Sequence, residues 1–271
     1  MEDSQHEQVL PGIRVSDAVP AEESEPGGAR SRADGKLERV SLMRPQELAE
    51  RILPQMEYEK LLEFATHGCP AECGPPWPAP VIAAARRTGP HMGANTPENV
   101  ELIWEDIQYQ VDAGFVKVVS AAELFDGDPP AELKILRVAV IPQTNRRGRI
   151  ILNLSAEVEL GRERATGRRR WKTKTHPSVN ETTEPVAIQE AVKALGTALS
   201  SLLFFLYDTD PAWEIDWQKI DLSDGFWHMI VEEGREYNFV FQLPKHPGDD
   251  EVYYVVPASL QMGWKNSPAF F

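Results

Sequence analysis

Apolar positions fall along this chain in distinct rhythms, and each rhythm predicts a different element. Between residues 97 and 111, Val100, Ile103, Ile107 and Val111 recur at helical spacing, predicting an amphipathic helix with one stripe toward a core. Thr96 can cap that helix, Pro97 suits its first turn and Gly114 ends it, while Glu101, Glu105 and Asp106 occupy the polar face. From Pro185 to Leu206, the residues Ile188, Val192, Leu195, Leu199, Leu202 and Leu206 keep helical spacing over several turns and predict a second, core-facing helix.

The rhythm changes to β between these helices and after them. Leu133 to Ile141 and Arg149 to Leu154 are β-rich runs joined by a polar turn that ends at Gly148, the pattern of a hairpin. YNFVFQLP and EVYYVVP flank the turn-forming KHPGDD and predict strand, turn, strand. WQKIDL reads as a buried strand that breaks at Ser223, Asp224 and Gly225. From Pro45 to Gly68 the apolar residues Leu48, Ile52, Met56, Leu61 and Phe64 recur irregularly, predicting helical pieces interrupted at Pro54 and followed by a Pro-rich connector ending near Pro80. Residues 1–40 carry few large apolar groups, so burial there cannot offset ordering entropy and a disordered tail is expected. The fold class is therefore α+β, with mainly antiparallel sheets packed on helices.

Charge complicates any phosphate-binding role. The 42 acidic and 28 basic residues give a net charge of −14, the wrong sign for a chain that grips nucleic acid throughout. In the first 27 residues seven acidic side chains face only Arg14, so the remainder carries about −8. Between Arg146 and Lys174, ten basic residues oppose three acidic ones, a local charge of +7. That run is either a solvated loop or a phosphate-binding surface placed after the hairpin.

Cys69 and Cys73 are the only cysteines, too few for a Cys-rich zinc site. With His67 they form either a sparse metal chelate or a Pro/Gly-rich loop holding reduced thiols. No apolar run reaches the roughly 20 residues of a membrane-spanning helix, and MEDSQHEQ lacks the order of a secretory signal. An intracellular protein, cytoplasmic or nuclear, with no membrane partner is expected.

Two motifs carry candidate chemistry. KIDLSDGFW places Asp221 at the end of an apolar strand, where a carboxylate on rigid backbone can hold a divalent cation, although a strand terminator with Asp224 capping the next turn gives the same local pattern. LQMGWKNSPAFF follows the second hairpin. With ELIWEDIQYQVDAGFVKVVS and RRGRIILNLS ahead of them, these segments resemble, in order, blocks of the fingers and palm of reverse transcriptases of the LTR-retrotransposon and retroviral type, over about Asn99 to Phe271.

The resemblance implies an RNA-directed DNA polymerase, a nucleotidyltransferase with right-hand fingers and palm. The chain would then divide into a tail (1–40), a helical and Pro-rich extension (41–98), a fingers-like region (99–183) and a partial palm (184–271). Asp221 would bind both catalytic Mg²⁺ ions and the Leu222 carbonyl would complete a metal shell. Arg149 would clamp phosphate oxygens, a task its planar fork of donors suits. Asp224 and Gly225 would lie beneath the triphosphate, and Phe226 would act as the steric gate against a ribose 2′-hydroxyl. Met262 and Gly263 would line the nucleotide pocket, while Trp264, Lys265, Ser267 and Pro268 would support the templating strand. The implied partners are an RNA or DNA template-primer and deoxynucleotides.

Some residues depart from the family's pattern. Asn153 and Ser155 stand where relatives often have Asp and Arg. The Tyr-X-Asp-Asp turn that supplies the other metal-binding carboxylates would follow LQMGWKNSPAFF, and the string Tyr207, Asp208, Thr209, Asp210 is a decoy because it precedes Asp221. Since two metals roughly 3.5–4 Å apart need more than one carboxylate, the expectation is an isolated chain without polymerase activity. The alternative is a non-catalytic nucleic-acid-binding or interaction module derived from a retroelement.

Overall fold

The computed structural model describes residues 55–164, 171–186, 200–210 and 224–270, with four two-residue strands ahead of them. Those strands pair as Val9–Leu10 with Ile13–Arg14 and as Arg30–Ser31 with Leu37–Glu38. The rest of the tail, the helical pieces expected between Pro45 and Pro54, the strand expected at WQKIDL with Asp221 and Leu222, and the middle of the helix expected from Pro185 lie outside the described residues.

Three helices come first: α1 (Gln55–His67), α2 (Ala79–Thr88) and α3 (Pro97–Asp112). Helix α1 begins directly after Pro54. Helix α2 starts where the connector was expected to end, because Pro80 sits at the start of the helix, where no intrahelical N–H is needed, and Val81, Ala84 and Ala85 form a small buried stripe. Helix α3 is the one the apolar stripe predicts. Thr96 Oγ1 accepts from the Asn99 amide, Pro97 opens the first turn, and Val100, Ile103 and Ile107 are buried. Gly114 follows with φ 74°, a conformation that favours glycine.

A five-stranded sheet receives these helices. Its strands are β1 (Val116–Ser120), β2 (Ile135–Gln143), β3 (Arg146–Asn153), β6 (Val240–Gln242) and β7 (Tyr253–Pro257), in the order β1-β7-β6-β2-β3. Three pairings are antiparallel and β6 alone pairs in parallel, with β2. A short helix α4 (Ala121–Phe125) follows β1. The sheet is mainly antiparallel and mixed with helices, and both predicted hairpins occur in it. The first hairpin has a tighter connection than the polar turn read to Gly148: Gln143 pairs with Arg146, and Asn145 takes φ 57°. Ile103 and Ile107 of α3, Leu136 and Val138 of β2, and Tyr254 and Val255 of β7 belong to one buried cluster.

The basic run contains a second ladder instead of a loop. Strands β4 (Val158–Arg164) and β5 (Trp171–His176) pair with each other and stand apart from the large sheet. Then come α5 (Val179–Thr182), helical residues 200–208, and α6 (Ser267–Phe270). At 200–208 the helical expectation holds but the core-facing one does not: Leu202 and Leu206 are 38% and 39% exposed, beside the exposed Phe204 and Phe205. Spacing sets which side chains share a face, but not whether another element covers that face.

Cys69 and Cys73 are buried in the core, and burial pushes both thiols up to about 12. Cys69 bridges to Val231, its amide donating to the Ile230 carbonyl at 2.8 Å. Gly68 permits this approach: its φ is 87°, and a Cβ there would stand 2.4 Å from the Val231 backbone. Nearby, Lys134 is fully buried, donates to Asn238 Oδ1 and lies 3.8 Å from Glu132. Desolvation lowers its pKa, opposed by Cys73 and Glu132. Among the described residues no helix is long and apolar enough to cross a membrane.

Candidate nucleotide-binding cleft

Strand β3 alternates its side chains, so Arg147 and Arg149 project on one face of the hairpin. Arg147 is tied to α3, pairing with Glu105 at 2.9 Å and donating to the Leu102 carbonyl at 3.3 Å. Arg149 has no carboxylate partner among the described residues. Its Nη2 lies against Met262 Sδ at 2.6 Å, and a thioether is a weak acceptor for a guanidinium. The donor fork of Arg149 thus reaches Met262 without a carboxylate among the described residues to neutralise it.

A cavity of about 310 Å³ opens at this point. Arg147, Gly148 and Arg149 line it from β3, and Asp106, Ile107 and Gln110 from α3. Asp224 and Trp227 enter from the turn around Gly225–His228, and Gln261 and Met262 from the turn after β7. Val138, Leu152 and Phe241 supply apolar lining. The volume is at the small end of ligand pockets, which run from roughly 300 Å³ upward.

The cleft is electrostatically two-sided. Asp224 takes a left-handed conformation (φ 54°), and its Oδ2 accepts from Tyr109 Oη at 3.3 Å. The charge of Asp224 raises the Tyr109 hydroxyl pKa. Burial raises the Asp106 carboxyl; Asp224 adds to that shift, while Arg147 and the hydrogen bond from Gln110 oppose it. Cationic β3 therefore faces an acceptor-rich wall on α3.

Of the residues singled out in the sequence, Arg149, Asp224 and Met262 meet in the cleft. Gly225 and Phe226 belong to the adjoining turn. Phe226 packs half-buried against the core, and its neighbour Trp227 lines the cavity. Gly263 forms the turn, with φ 97° and its carbonyl accepting from Asn180 Nδ2 at 2.9 Å. Trp264 and Ser267, expected beside a templating strand, are buried and shape this turn from within. Trp264 donates to Thr183 Oγ1 at 3.1 Å and stacks on Phe270, while Ser267 donates to the Gln261 carbonyl at 2.8 Å. Lys265 is half-buried and Pro268 exposed. Asp221 and Leu222 lie outside the described residues.

Sequence reasoning missed Gln110, Tyr109, Trp227, Gln261 and the clamp on the 261–265 turn. Asn180 makes that clamp: Nδ2 donates to Ser155 Oγ and to the Gly263 carbonyl, and Oδ1 accepts from the Lys265 amide. The signals were present but weak. Asp106 and Gln110 are one helical turn apart beside the buried stripe, and SVNE carries a capping box.

No family model and no curated protein matches the chain. Among solved structures, a foamy viral protease-reverse transcriptase in complex with double-stranded DNA aligns at 14% identity and a TM-score of 0.41. The alignment covers 93% of this chain and 36% of that one, so this chain spans about a third of that chain's length. At that TM-score the likeness bears no weight for the activity of this protein.

Proposed function

We propose that the cleft between α3 and β3 is the nucleotide site of a reverse-transcriptase-like fingers and palm. One observation carries this reading: Arg149, Asp224 and Met262, drawn from three separate segments of the resemblance, line a single cavity. In this reading the Arg149 fork takes the phosphates, which a guanidinium meets with paired, charge-assisted hydrogen bonds. Asp224 and Gly225 lie beneath them, Phe226 supports the wall that limits a ribose 2′-hydroxyl, and Gly263 lets the Met262 backbone approach. Lys265 and Pro268 meet the template.

Polymerisation in this family needs Mg²⁺, for which Asp221 and the Leu222 carbonyl are the proposed ligands. Among the described residues no three His, Cys, Asp or Glu side chains converge. Asp106 and Asp224 alone do not make a two-metal site, so the reading is one of nucleotide binding and no chemical step is assigned. Calorimetric titration with deoxyadenosine triphosphate in Mg²⁺ buffer tests it. Arg149→Ala should weaken binding tenfold or more, the effect of a lost charged hydrogen bond; unchanged affinity overturns the assignment.

A second reading, nucleic-acid binding without catalysis, is favoured by the ribbon β4–β5. Arg162, Lys172 and Lys174 are exposed there, and Trp171 is 68% exposed among them. Cations beside an open aromatic face suit a single strand, whose phosphates and bases each find a partner. Affinity for a single-stranded oligonucleotide should fall steeply with salt. A flat salt dependence would end this reading.

A further inference from the structure

Two features meet at Met262. It is 55% exposed and lines the cleft, and its Sδ lies 2.6 Å from Arg149 Nη2. The backbone beneath it is fixed: Gly263 takes φ 97° with its carbonyl held by Asn180, and the Gln261 carbonyl accepts from Ser267 Oγ. A chemical change at the Met262 side chain therefore alters the cleft without opening a core. A thioether is a soft, weak acceptor, so its contact with Arg149 yields to an anion that competes for the same donors. It is also the group that peroxides convert to a sulfoxide, most readily where solvent reaches it.

We propose that Met262 is an oxidation site that controls access to Arg149. A sulfur lone pair attacks one oxygen of a hydroperoxide, taken here as hydrogen peroxide. The S–O bond forms as the O–O bond breaks, the transferred oxygen gives its proton to the departing hydroxide, and water leaves. Sulfur loses the two electrons that the peroxide gains. The product carries a polar, accepting oxygen one bond from an atom that already touches the guanidinium. An N–H of Arg149 binds that oxygen with a charge-assisted hydrogen bond, and phosphate oxygens must displace it. Met92 is more exposed, at 80%, yet does not line the cleft, so its oxidation leaves Arg149 untouched. This control rests on Arg149 taking phosphates in the cleft.

The full chain is treated with hydrogen peroxide, mapped by peptide mass spectrometry, and titrated in Mg²⁺ buffer with deoxyadenosine triphosphate and with inorganic tripolyphosphate. Met262 should gain one oxygen, and both ligands should bind about fivefold or more weakly, the effect of one contested charged hydrogen bond. A methionine sulfoxide reductase with dithiothreitol should restore affinity, the oxygen leaving as water while two thiols join as a disulfide. In Met262→Leu, which keeps the volume but has no sulfur, treatment should not change affinity from whatever value that chain starts at. In Met92→Leu, treatment should act as it does on the unaltered chain. If Met262 is converted and tripolyphosphate binds as before, or if Met262→Leu loses affinity to the same extent on treatment, the inference fails and the nucleotide site stands. Met262 left unconverted at a dose that fully converts Met92 would also end it. If the untreated chain binds neither ligand, both fail, and if it binds only the nucleotide, the proposed control fails alone.

Discussion

Two antiparallel hairpins follow one another in this chain, and they have opposite surroundings. β2–β3 joins the large sheet, with Ile135, Leu136 and Val138 buried and Ile150 and Leu152 packed against the core. β4–β5 pairs only with itself: Val158 is buried at its root, His176 sits against Trp77 with ring centroids 5.7 Å apart, and residues 171–175 are exposed. Both ladders satisfy their own backbone. They differ in apolar content, since burial yields roughly 25 cal/mol per Å² of apolar surface and the ribbon has almost none to bury beyond its root. Recruitment into a sheet therefore follows from the side chains a hairpin can hide. A hairpin left outside keeps its exposed residues beyond the root, 171–175 here, for a partner.

The largest expected contrast comes from placing one charge in each hairpin. Val138→Asp puts a carboxylate at a fully buried position and should cost about 4 kcal/mol or more, whereas Thr173→Asp in the ribbon should stay within about 0.5 kcal/mol. Equal losses in denaturant titration would break the comparison.

Alkaline pH should act on the core that holds β2–β3. The thiols of Cys69 and Cys73 are raised from 9.0 to about 12, so the folded chain keeps protons that the unfolded chain releases. Their stabilising contribution is full below pH 9 and is lost as pH rises from 9 toward 12, at up to about 1.4 kcal/mol per pH unit for each thiol. Denaturation of a Cys69→Ala, Cys73→Ala chain should show a shallower fall over that range, and an identical slope would remove the thiols as the cause.

Gly148 and Gly161 sharpen the contrast further. A Cβ at Gly148 would stand 2.7 Å from Val140 Cγ1, while one at Gly161 would meet nothing within 4 Å. Gly148→Ala should cost about 1–3 kcal/mol by overpacking. Gly161→Ala should cost a similar amount, about 1–3 kcal/mol, but through the backbone strain of its φ of 142° and not through packing. A thermal melt in which Gly148→Ala costs nothing would contradict the assigned packing.

The smallest effect on stability should come from Trp171→Ala: about 0.5 kcal/mol or less, since the ring is mostly exposed. The same change should weaken single-stranded oligonucleotide binding by about 1 kcal/mol or more if a base stacks there. Lys172→Ala with Lys174→Ala should lower the slope of log affinity against log salt by about 1 to 2. A stability loss from Trp171→Ala as large as that from Val138→Asp would place the ring in a core it does not occupy here.

Much of the architecture is legible in local pattern. Thr96, Pro97 and the stripe Val100, Ile103, Ile107 determine α3, because caps and helical spacing act within a turn or two. Alternating apolar runs around Asn145 and around KHPGDD determine two hairpins for the same reason. Local pattern did not reveal the parallel docking of β6 on β2 or the exposure of Leu202 and Leu206. It also gave no sign that Trp264 points inward or that Gln110, bonded to Asp106, is buried beside Arg149's cleft. Those depend on pairs such as Tyr109 with Asp224, 115 positions apart, and Arg149 with Met262, 113 apart. Spacing along the chain fixes which side chains share a face, whereas only packing decides what that face meets.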